Sequence, residues 1–467
     1  MVAKEMTERQ MEYLEKAREA AVAFAERLGH APKSYVETFG CQMNARDSEK
    51  LRGILLSAGF TDTEEESEAD LVLYNTCTVR DNADQHVYGR LGRLGGNRKN
   101  HPERIVGLCG CLMQEPHAVE KIKKSYPFVN LVFGTHNLYA FPELLFRALT
   151  EPKRVFAIET KTTVLPESLP VARKHGFKSG VNIMYGCDNF CTYCIVPYVR
   201  GREVSREPED ILAEIEHLAA DGVKEIMLLG QNVNSYGKGL ALPATFAGLL
   251  RRVCRVEGIE RVRFMTSHPK DLSDDLIIAM AEEEKLCPHL HLPVQSGSDR
   301  LLKKMNRHYD RAHYLGLVEK IRAAVPDISL TTDIIVGFPG ETEEDFGDTL
   351  SLIREVGFDS AFTFIYSKRT GTPAAGYPDQ VPDEVAHARF DRLLEAVKAG
   401  AEERCGRFAG QEMDILVEEE NRQQGYVTGR TPHNIVVHLP GSKEDIGQIV
   451  RARLTDPRGF YYFAERV

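Results

Sequence analysis

Val181-Asn-Ile-Met-Tyr185-Gly-Cys187-Asp-Asn-Phe-Cys191-Thr-Tyr-Cys194 joins an apolar run to three cysteines spaced CxxxCxxC. Ten cysteines in 467 residues make such a cluster improbable by chance, and its spacing suits three thiolates converging on one metal centre. A fully liganded 4Fe-4S cluster takes four cysteines, so a loop with three leaves one iron open to an exogenous ligand. Structural zinc normally wants four closed protein ligands, commonly from two knuckles, and no second knuckle lies nearby. An open iron points to chemistry rather than to simple electron storage.

Downstream of this loop, apolar strands alternate with helical stretches as far as about Gly400. Strands are expected at 182–185, 225–229, 262–265, 289–293, 331–336 and 361–366. Six βα units predict an α/β fold of the partial (β/α)6 barrel kind, with its chemistry at the carboxyl-terminal mouth. The cysteine loop follows the first of these strands, as that rule requires. His289 and His291 share one face of a strand by period two and read as packed barrel residues rather than ligands. Cys254 and Cys287 lie outside every motif.

Upstream, strands at 34–39, 71–74 and 104–108, with a helix at 47–58, form a βαβ series that predicts a small parallel α/β domain. A cysteine follows each strand: Cys41, then Cys77, then the pair Cys109 and Cys111. Ligands of such sheets gather at the carboxyl ends of strands, although free cysteine is also an ordinary small core residue. Cys109 and Cys111 sit two apart, so strand period alone gives both the same facing. Residues 1–33 read as an amphipathic helix built on Met11, Leu14, Ala17, Ala21, Phe24 and Leu28, with packing on a neighbouring domain as its expected role. The polar segment 159–180, with Pro166 and Pro170, reads as a linker between a domain at 34–158 and the barrel at 181–405. After Cys405, short strands at 412–417, 424–428, 435–439, 449–454 and 460–464 predict a carboxyl-terminal five-stranded β-barrel of the OB-like kind over 406–467.

A net charge of −10 argues against coating nucleic acid by bulk electrostatics, so any RNA contact must be local. The basic candidates are Arg90, Arg93, Arg98, Lys99 and Arg104, and, beside the cysteine loop, Arg200, Arg202 and Arg206. In the last domain, Tyr426, Arg430, Asn434 and Phe460 are candidates for base stacking and hydrogen bonding, with Tyr461 and Tyr462 beside them; core packing is the ordinary explanation for at least one of the last three aromatics. No segment reads as a membrane span or a signal peptide, and cysteines without an export signal point to the cytoplasm.

The cysteine loop resembles that of the radical S-adenosylmethionine superfamily, and the longer string Tyr185-Gly-Cys-Asp-Asn-Phe-Cys-Thr-Tyr-Cys-Ile-Val-Pro-Tyr-Val-Arg-Gly-Arg202 resembles its methylthiotransferases. Thr38-Phe-Gly-Cys-Gln-Met-Asn44, Asn75-Thr-Cys-Thr-Val79 and Gly110-Cys-Leu-Met-Gln114 are similar to the three ligand motifs of the family's amino-terminal domain, and the last segment resembles the TRAM domain, an RNA-binding module. The resemblance implies two 4Fe-4S clusters, one on Cys187, Cys191 and Cys194 and an auxiliary one on Cys41, Cys77 and Cys111. It also implies S-adenosyl-L-methionine as cofactor. No catalytic residue beyond the cluster ligands is implied. Phe190 and Tyr193 are expected at the adenine, Gly230, Gln231 and Asn232 at the methionine amino group, Gln295 and Ser296 at the ribose, and Asp333, Gly337 and Glu341 near the cofactor.

Phe190-Cys-Thr-Tyr-Cys-Ile-Val-Pro-Tyr198 and Leu228-Leu-Gly-Gln-Asn-Val-Asn-Ser-Tyr-Gly237 are most similar to the tRNA branch acting on N6-isopentenyladenosine at position 37 of the anticodon loop. The implied reaction replaces hydrogen on an adenine carbon, C2, that carries no leaving group. A radical generator and a sulfur donor are then both needed. The partners implied are tRNA bearing that nucleoside, an electron donor such as flavodoxin or ferredoxin, and a sulfur source, with a monomer as the expected state. Methylthiotransferases for threonylcarbamoyladenosine in tRNA, or for a ribosomal-protein aspartate, share the three-domain plan. A non-catalytic iron-sulfur RNA-binding module is the reading from a different class.

Overall fold

The computed structural model describes every residue except 1, 79–82, 98, 100, 162–164 and 166–168, so Val79, Arg98 and Pro166 lie outside the described residues. The chain divides into two compact units, one comprising residues 1–174 with 185–188 and 195–203, the other 175–184, 189–194 and 204–467.

In the first unit, α1 (Val2–Leu28) precedes β1 (Lys33–Thr38), α2 (Gln42–Ser57), β2 (Thr61–Asp62), β3 (Leu71–Thr76), α3 (Ala83–Gly96), β4 (Ile105–Gly110), α4 (Pro116–Ser125), β5 (Leu131–Phe133), α5 (Phe141–Thr150) and β6 (Val155–Ala157). The strands make one parallel sheet in the order β2-β1-β3-β4-β5-β6, with β3 and β4 paired from Leu71↔Ile105 to Thr76↔Gly110. Strands β2, β5 and β6 have two or three residues each, too few to show a period, and the sequence reading missed them.

A parallel sheet is covered on both faces, so period two sorts its side chains between two cores rather than between core and water. Leu71, Leu73, Ile105 and Cys109 pack on one face with residues of α1, α2 and α5, while Val72, Tyr74, Val106 and Leu108 pack on the other with α3 and α4. Helix α1 places Leu14, Ala17, Ala21 and Phe24 in the first of these cores, and Arg9 pairs with Glu143 of α5 at 3.0 Å. Burying side chains such as Leu14 and Phe24 contributes roughly 1.5–3 kcal/mol each. Met11, on the same predicted stripe, remains exposed.

The second unit opens with β7 (Lys178–Asn182). Short pieces β8 (Met184–Tyr185), α6 (Val196–Val199) and β9 (Val204–Ser205) flank the cysteine loop along the chain. The βα series continues with α7 (Pro208–Ala220), β10 (Glu225–Leu229), α8 (Phe246–Cys254), β11 (Arg261–Phe264), α9 (Asp274–Glu282), β12 (His289–His291), α10 (Asp299–Lys304), α11 (Arg311–Ala324), β13 (Ser329–Val336), α12 (Glu343–Val356) and β14 (Ser360–Ile365). Six parallel strands run β7-β10-β11 and β12-β13-β14, with Val262 bridging to Leu286 just before β12. The first strand lies at Lys178–Asn182, not at the expected 182–185. Its polar start looked like linker, yet Lys178↔Glu225 through Asn182↔Leu229 pair it with β10.

Helix α13 (Asp383–Cys405) leads to β15 (Glu412–Glu420), β16 (Tyr426–Arg430), β17 (Val436–Pro440), β18 (Ile449–Pro457) and β19 (Tyr461–Arg466). These close into a barrel in the order β15-β16-β17-β19-β18, which removes free sheet edges. Its core holds Phe408, Ile415, Val427, Val437, Leu439, Leu454 and Tyr462. Among the described residues no helix is long and apolar enough to cross a membrane.

Candidate functional site

The first unit gathers thiols at the carboxyl ends of β1, β3 and β4. Cys41 and Cys111 both point at one acceptor, the Asn44 side-chain oxygen, with Sγ distances of 3.9 and 3.8 Å. Asn44 is held by donating its Nδ2 to the carbonyls of Phe39 and Thr76, each at 2.9 Å. Cys77 is brought in by a glycine: a Cβ on Gly40, whose φ is +115°, would lie 2.5 Å from Cys77 Cβ and 2.6 Å from its Sγ. Only glycine permits both that backbone and that approach.

Gly110 settles the facing of the neighbouring pair. Its φ of +93° ends the strand alternation, and a Cβ there would meet the Thr76 carbonyl at 2.4 Å. Cys109 therefore stays in the apolar core with Leu131 and Phe133, whereas Cys111 packs with Ile195 and Val199. The equal facing expected from strand period ends at this turn. Burial pushes the Cys111 thiol up to about 12, with the Arg200 guanidinium opposing, and burial pushes Cys109 well above its ordinary value.

Arg200 is the cation of this centre. Its Nη2 donates to Asn44 Oδ1 at 2.6 Å and to Asp47 Oδ2 at 3.0 Å, and the residue is buried. Burial opposes its charge, but Cys111, Asp47 and Cys41 outweigh that and hold its pKa above the usual value. His136 is kept neutral, since burial and then Arg200 lower its pKa. Among the described residues no three His, Cys, Asp or Glu side chains are drawn together in the manner of a single-ion site. A 4Fe-4S cube has a different requirement, one thiolate on each liganded iron. Two thiols aimed at one amide, a third against Gly40, and a buried cation beside them fit that donor set.

In the second unit Cys191 and Cys194 are linked by a 2.9 Å bond from the Cys194 N–H to the Cys191 carbonyl. Cys187 groups with the first unit, where its N–H donates to the Gly201 carbonyl at 3.2 Å. Arg307, 116 positions beyond Cys191, donates Nη1 to the Cys191 sulfur and to the Tyr193 hydroxyl, each at 3.4 Å. The contact puts a positive charge against one of the three loop sulfurs. The loop is braced as well: Asn306 Nδ2 donates to the carbonyls of Asn189 and Phe190, and Lys270 Nζ to Asn189 Oδ1 at 2.6 Å. Phe190, Thr266, Gln295, Asn306 and His308 all adopt positive φ without being glycine. Such strain concentrates where surrounding structure over-determines a functional loop.

Buried polar atoms are left over at the ends of β10 and β11. Asn232 donates Nδ2 to Asp271 at 2.7 Å, but its Oδ1 has no hydrogen-bond partner, nor do Ser267 Oγ and His268 Nε2. Unsatisfied buried groups are costly, so these atoms fit a polar ligand. Burial drives the His268 pKa far down, leaving a neutral imidazole.

The remaining expected cofactor residues divide. Tyr193 packs beside Met305 and Phe338. Asp333 is half-buried with Oδ1 3.5 Å from His291 Nε2. Gly230 serves packing, since a Cβ there would lie 2.5 Å from Met184 Cγ. Ser296 is buried with its hydroxyl against Thr349 at 3.3 Å, so it is not presented as a ribose contact. Glu341 accepts from the Gly337 N–H at 3.0 Å and from Arg389 Nη1 at 2.8 Å, so it braces the turn.

The expected RNA face is also corrected. Arg206 is buried, bonding the Asn182 carbonyl at 2.6 Å and Glu214 at 2.8 Å, and Arg200 serves the thiol centre. Each found a carboxylate during folding, as buried charges must. Arg202 is exposed beside Asp188. Tyr426 packs edge-on against Phe463, Tyr462 is wholly buried, and Phe460 stands exposed. Ser267, His268 and Arg307 were missed by sequence reading. The string Ser267-His268-Pro269-Lys270 directly after a strand was the available signal for two of them; Arg307 carried none.

Residues 181–353 match the family described as the Radical SAM superfamily, residues 33–134 the uncharacterized protein family UPF0004, and residues 406–467 the TRAM domain. A tRNA-2-methylthio-N(6)-dimethylallyladenosine synthase from Lachnoclostridium phytofermentans is 57% identical over 442 residues, covering 94% of this chain and 97% of the relative. One of the same name from Clostridium perfringens is 53% identical over 433 residues, covering 92% and 97%. In fold, the chain is similar to the radical S-adenosylmethionine methyltransferase TsrM from Kitasatospora setae, with a TM-score of 0.54, 16% identity and 74% of each chain covered. The domains together define a radical S-adenosylmethionine enzyme with a carboxyl-terminal TRAM barrel. The chain belongs to the tRNA-2-methylthio-N(6)-dimethylallyladenosine synthase family.

Proposed function

We propose that the protein methylthiolates C2 of N6-isopentenyladenosine in the anticodon loop of tRNA. Near-complete coverage of relatives bearing that activity in their name carries the reading. The thiol centre of the first unit and the braced loop of the second support it. With two 4Fe-4S clusters and S-adenosyl-L-methionine bound, the chemistry supplied is reductive generation of a hydrogen-abstracting radical and delivery of a methylthio group.

The chain's own residues have distinct tasks in this reading. Cys187, Cys191 and Cys194 hold one cluster, and Cys41, Cys77 and Cys111 hold the other. Arg307 sets a positive charge against the Cys191 sulfur, and Arg200 offsets the negative charge gathered by the amino-terminal thiolates. Asn232, Ser267 and His268 offer unpartnered atoms to the polar parts of the cofactor. Phe190, Tyr193, Gln231, Gln295 and Asp333 complete its surroundings, while Gly337 and Glu341 fix the turn beside them. Arg430, Asn434, Phe460 and Tyr426 form the RNA face of the terminal barrel, and Arg202 of the other unit is a separate RNA contact. A flavodoxin or ferredoxin supplies electrons in the cytoplasm, a separate source supplies sulfur, and the enzyme works as a monomer.

Anaerobic reconstitution followed by nucleoside mass spectrometry of tRNA carrying the isopentenyl group tests this. The expected product is the 2-methylthio nucleoside at that adenosine. Modification of threonylcarbamoyladenosine instead, or RNA binding without cofactor cleavage, would overturn it.

A further inference from the structure

A cavity of about 210 Å³ lies within the second unit between the βα barrel and the carboxyl-terminal barrel. On the core side it is lined by His289 and Phe362, on the other by Arg430, His433, Asn434 and Phe460. Phe362 and Phe460 are 53% and 49% exposed, so two aromatic rings border this space without being consumed by packing. Its other wall is rigidly built. Arg263 of β11 donates to the carbonyls of Thr431 and Pro432 at 2.7 and 2.8 Å, and Arg261 to those of Asp414 and Arg430 at 2.7 and 3.0 Å. These bonds anchor the turn that carries Asn434, whose φ is +66°, and Asn434 in turn receives Arg430 Nη1 on its carbonyl at 3.2 Å. His433 packs on Phe408 at 4.5 Å, and its buried Nδ1 has no hydrogen-bond partner. Burial lowers the His433 pKa to about 4, so the ring is neutral at pH 7 and able to meet the edge of an uncharged base.

We infer that this cavity is a subsite for one unpaired nucleobase of the substrate RNA, a nucleotide other than the adenosine that is modified. Aromatic rings grip any base by its face, and the anchored His433 and Asn434 read its edge, while Arg430 stands beside them for the backbone. The inference rests on the tRNA reading above. It adds a second point of attachment, one that would fix the register of the loop.

The test uses full-length reconstituted protein and anticodon stem-loop RNAs carrying N6-isopentenyladenosine, each with 2-aminopurine at a single other loop position. One position should change its fluorescence on binding, and that change should vanish in Phe460→Leu and weaken in Asn434→Gly, which keeps the positive φ. RNA affinity of Phe460→Leu should fall roughly 10- to 100-fold, and an abasic nucleotide at that position should lose the same factor in the parent but little more in the variant. Thermal unfolding and iron content should match the parent in both variants, which shows an intact fold. Parent-like affinity and fluorescence in both variants, or a response spread evenly over all positions, would overturn the subsite while parent turnover still upheld the activity. Failure of the parent to form product would instead strike the activity on which it rests.

Discussion

The thiol centre of the amino-terminal unit and the mouth of the βα barrel differ in how far their buried polar groups satisfy one another. In the first, Arg200 bonds both Asn44 and Asp47, Asn44 accepts from Cys41 and Cys111, and a single Asp47 oxygen is left over. In the second, Asn232 Oδ1, Ser267 Oγ and His268 Nε2 are buried without partners. On the reading proposed above, the contrast matches what each place would need. A centre whose ligands are thiolates needs a cation and a fixed geometry before the cluster arrives. A pocket for a polar organic cofactor needs donors and acceptors left open, since a buried polar atom gains most when its partner is the ligand itself.

The contrast can be broken most sharply at the cysteines. Cys187→Ala, Cys191→Ala or Cys194→Ala should abolish 5'-deoxyadenosine formation while leaving iron in the amino-terminal unit, and Cys77→Ala should do the reverse, retaining cleavage without methylthio product. Iron and sulfide content with chromatography of the nucleoside products reads both. Cys111→Ser should lose the auxiliary iron and Cys109→Ser should retain it; the opposite pattern would reverse the assignment made from Gly110.

Arg200→Met comes next in size. It strips Asp47 of its cation, and breaking a buried pair from one side costs about 3–5 kcal/mol. Hydrogen exchange in β3 and β4 should accelerate accordingly, and Arg200→Lys should recover only part of the loss, because a lysine ammonium is shorter in reach and more strongly hydrated than the guanidinium, so it is costlier to bury. Unchanged exchange in Arg200→Met would show that the pair is not what holds this centre.

Smaller effects sharpen the other half of the comparison. Asn232→Ala should weaken S-adenosyl-L-methionine binding by roughly tenfold, as expected for one lost hydrogen bond of ordinary strength, with the fold unaltered. Equal affinity by calorimetry would remove Asn232 from the pocket. The smallest change is expected for Arg202→Ala, whose exposed pair with Asp188 contributes about 0–1 kcal/mol to stability. Its tRNA affinity should lose about one unit of salt slope, the signature of a single phosphate contact.

Five of the six barrel strands and the closed terminal barrel were legible because each depends on local period and on turn residues. Strand β7 was not, because Lys178, Ser179 and Gly180 show no apolar pattern and become strand only by pairing with β10. Arg200 and Arg206 misled for a related reason. Next to Arg202 they look like one basic patch, and nothing local says that Asp47 and Glu214 will reach two of the three.

What the chain determined by itself is the chemistry: thiols at set spacing, strands of apolar period, glycines at Gly40 and Gly110 where the backbone must turn towards a sulfur. These are properties of neighbours in sequence, and local sterics enforce them. What only the tertiary structure decided is which charges are used up inside and which sulfur faces which core. Arg307 reaches Cys191 across 116 positions, and Cys109 and Cys111 part company at one left-handed glycine. Long-range pairing is set by which buried groups would otherwise remain unsatisfied, and that account closes only when the whole unit has folded.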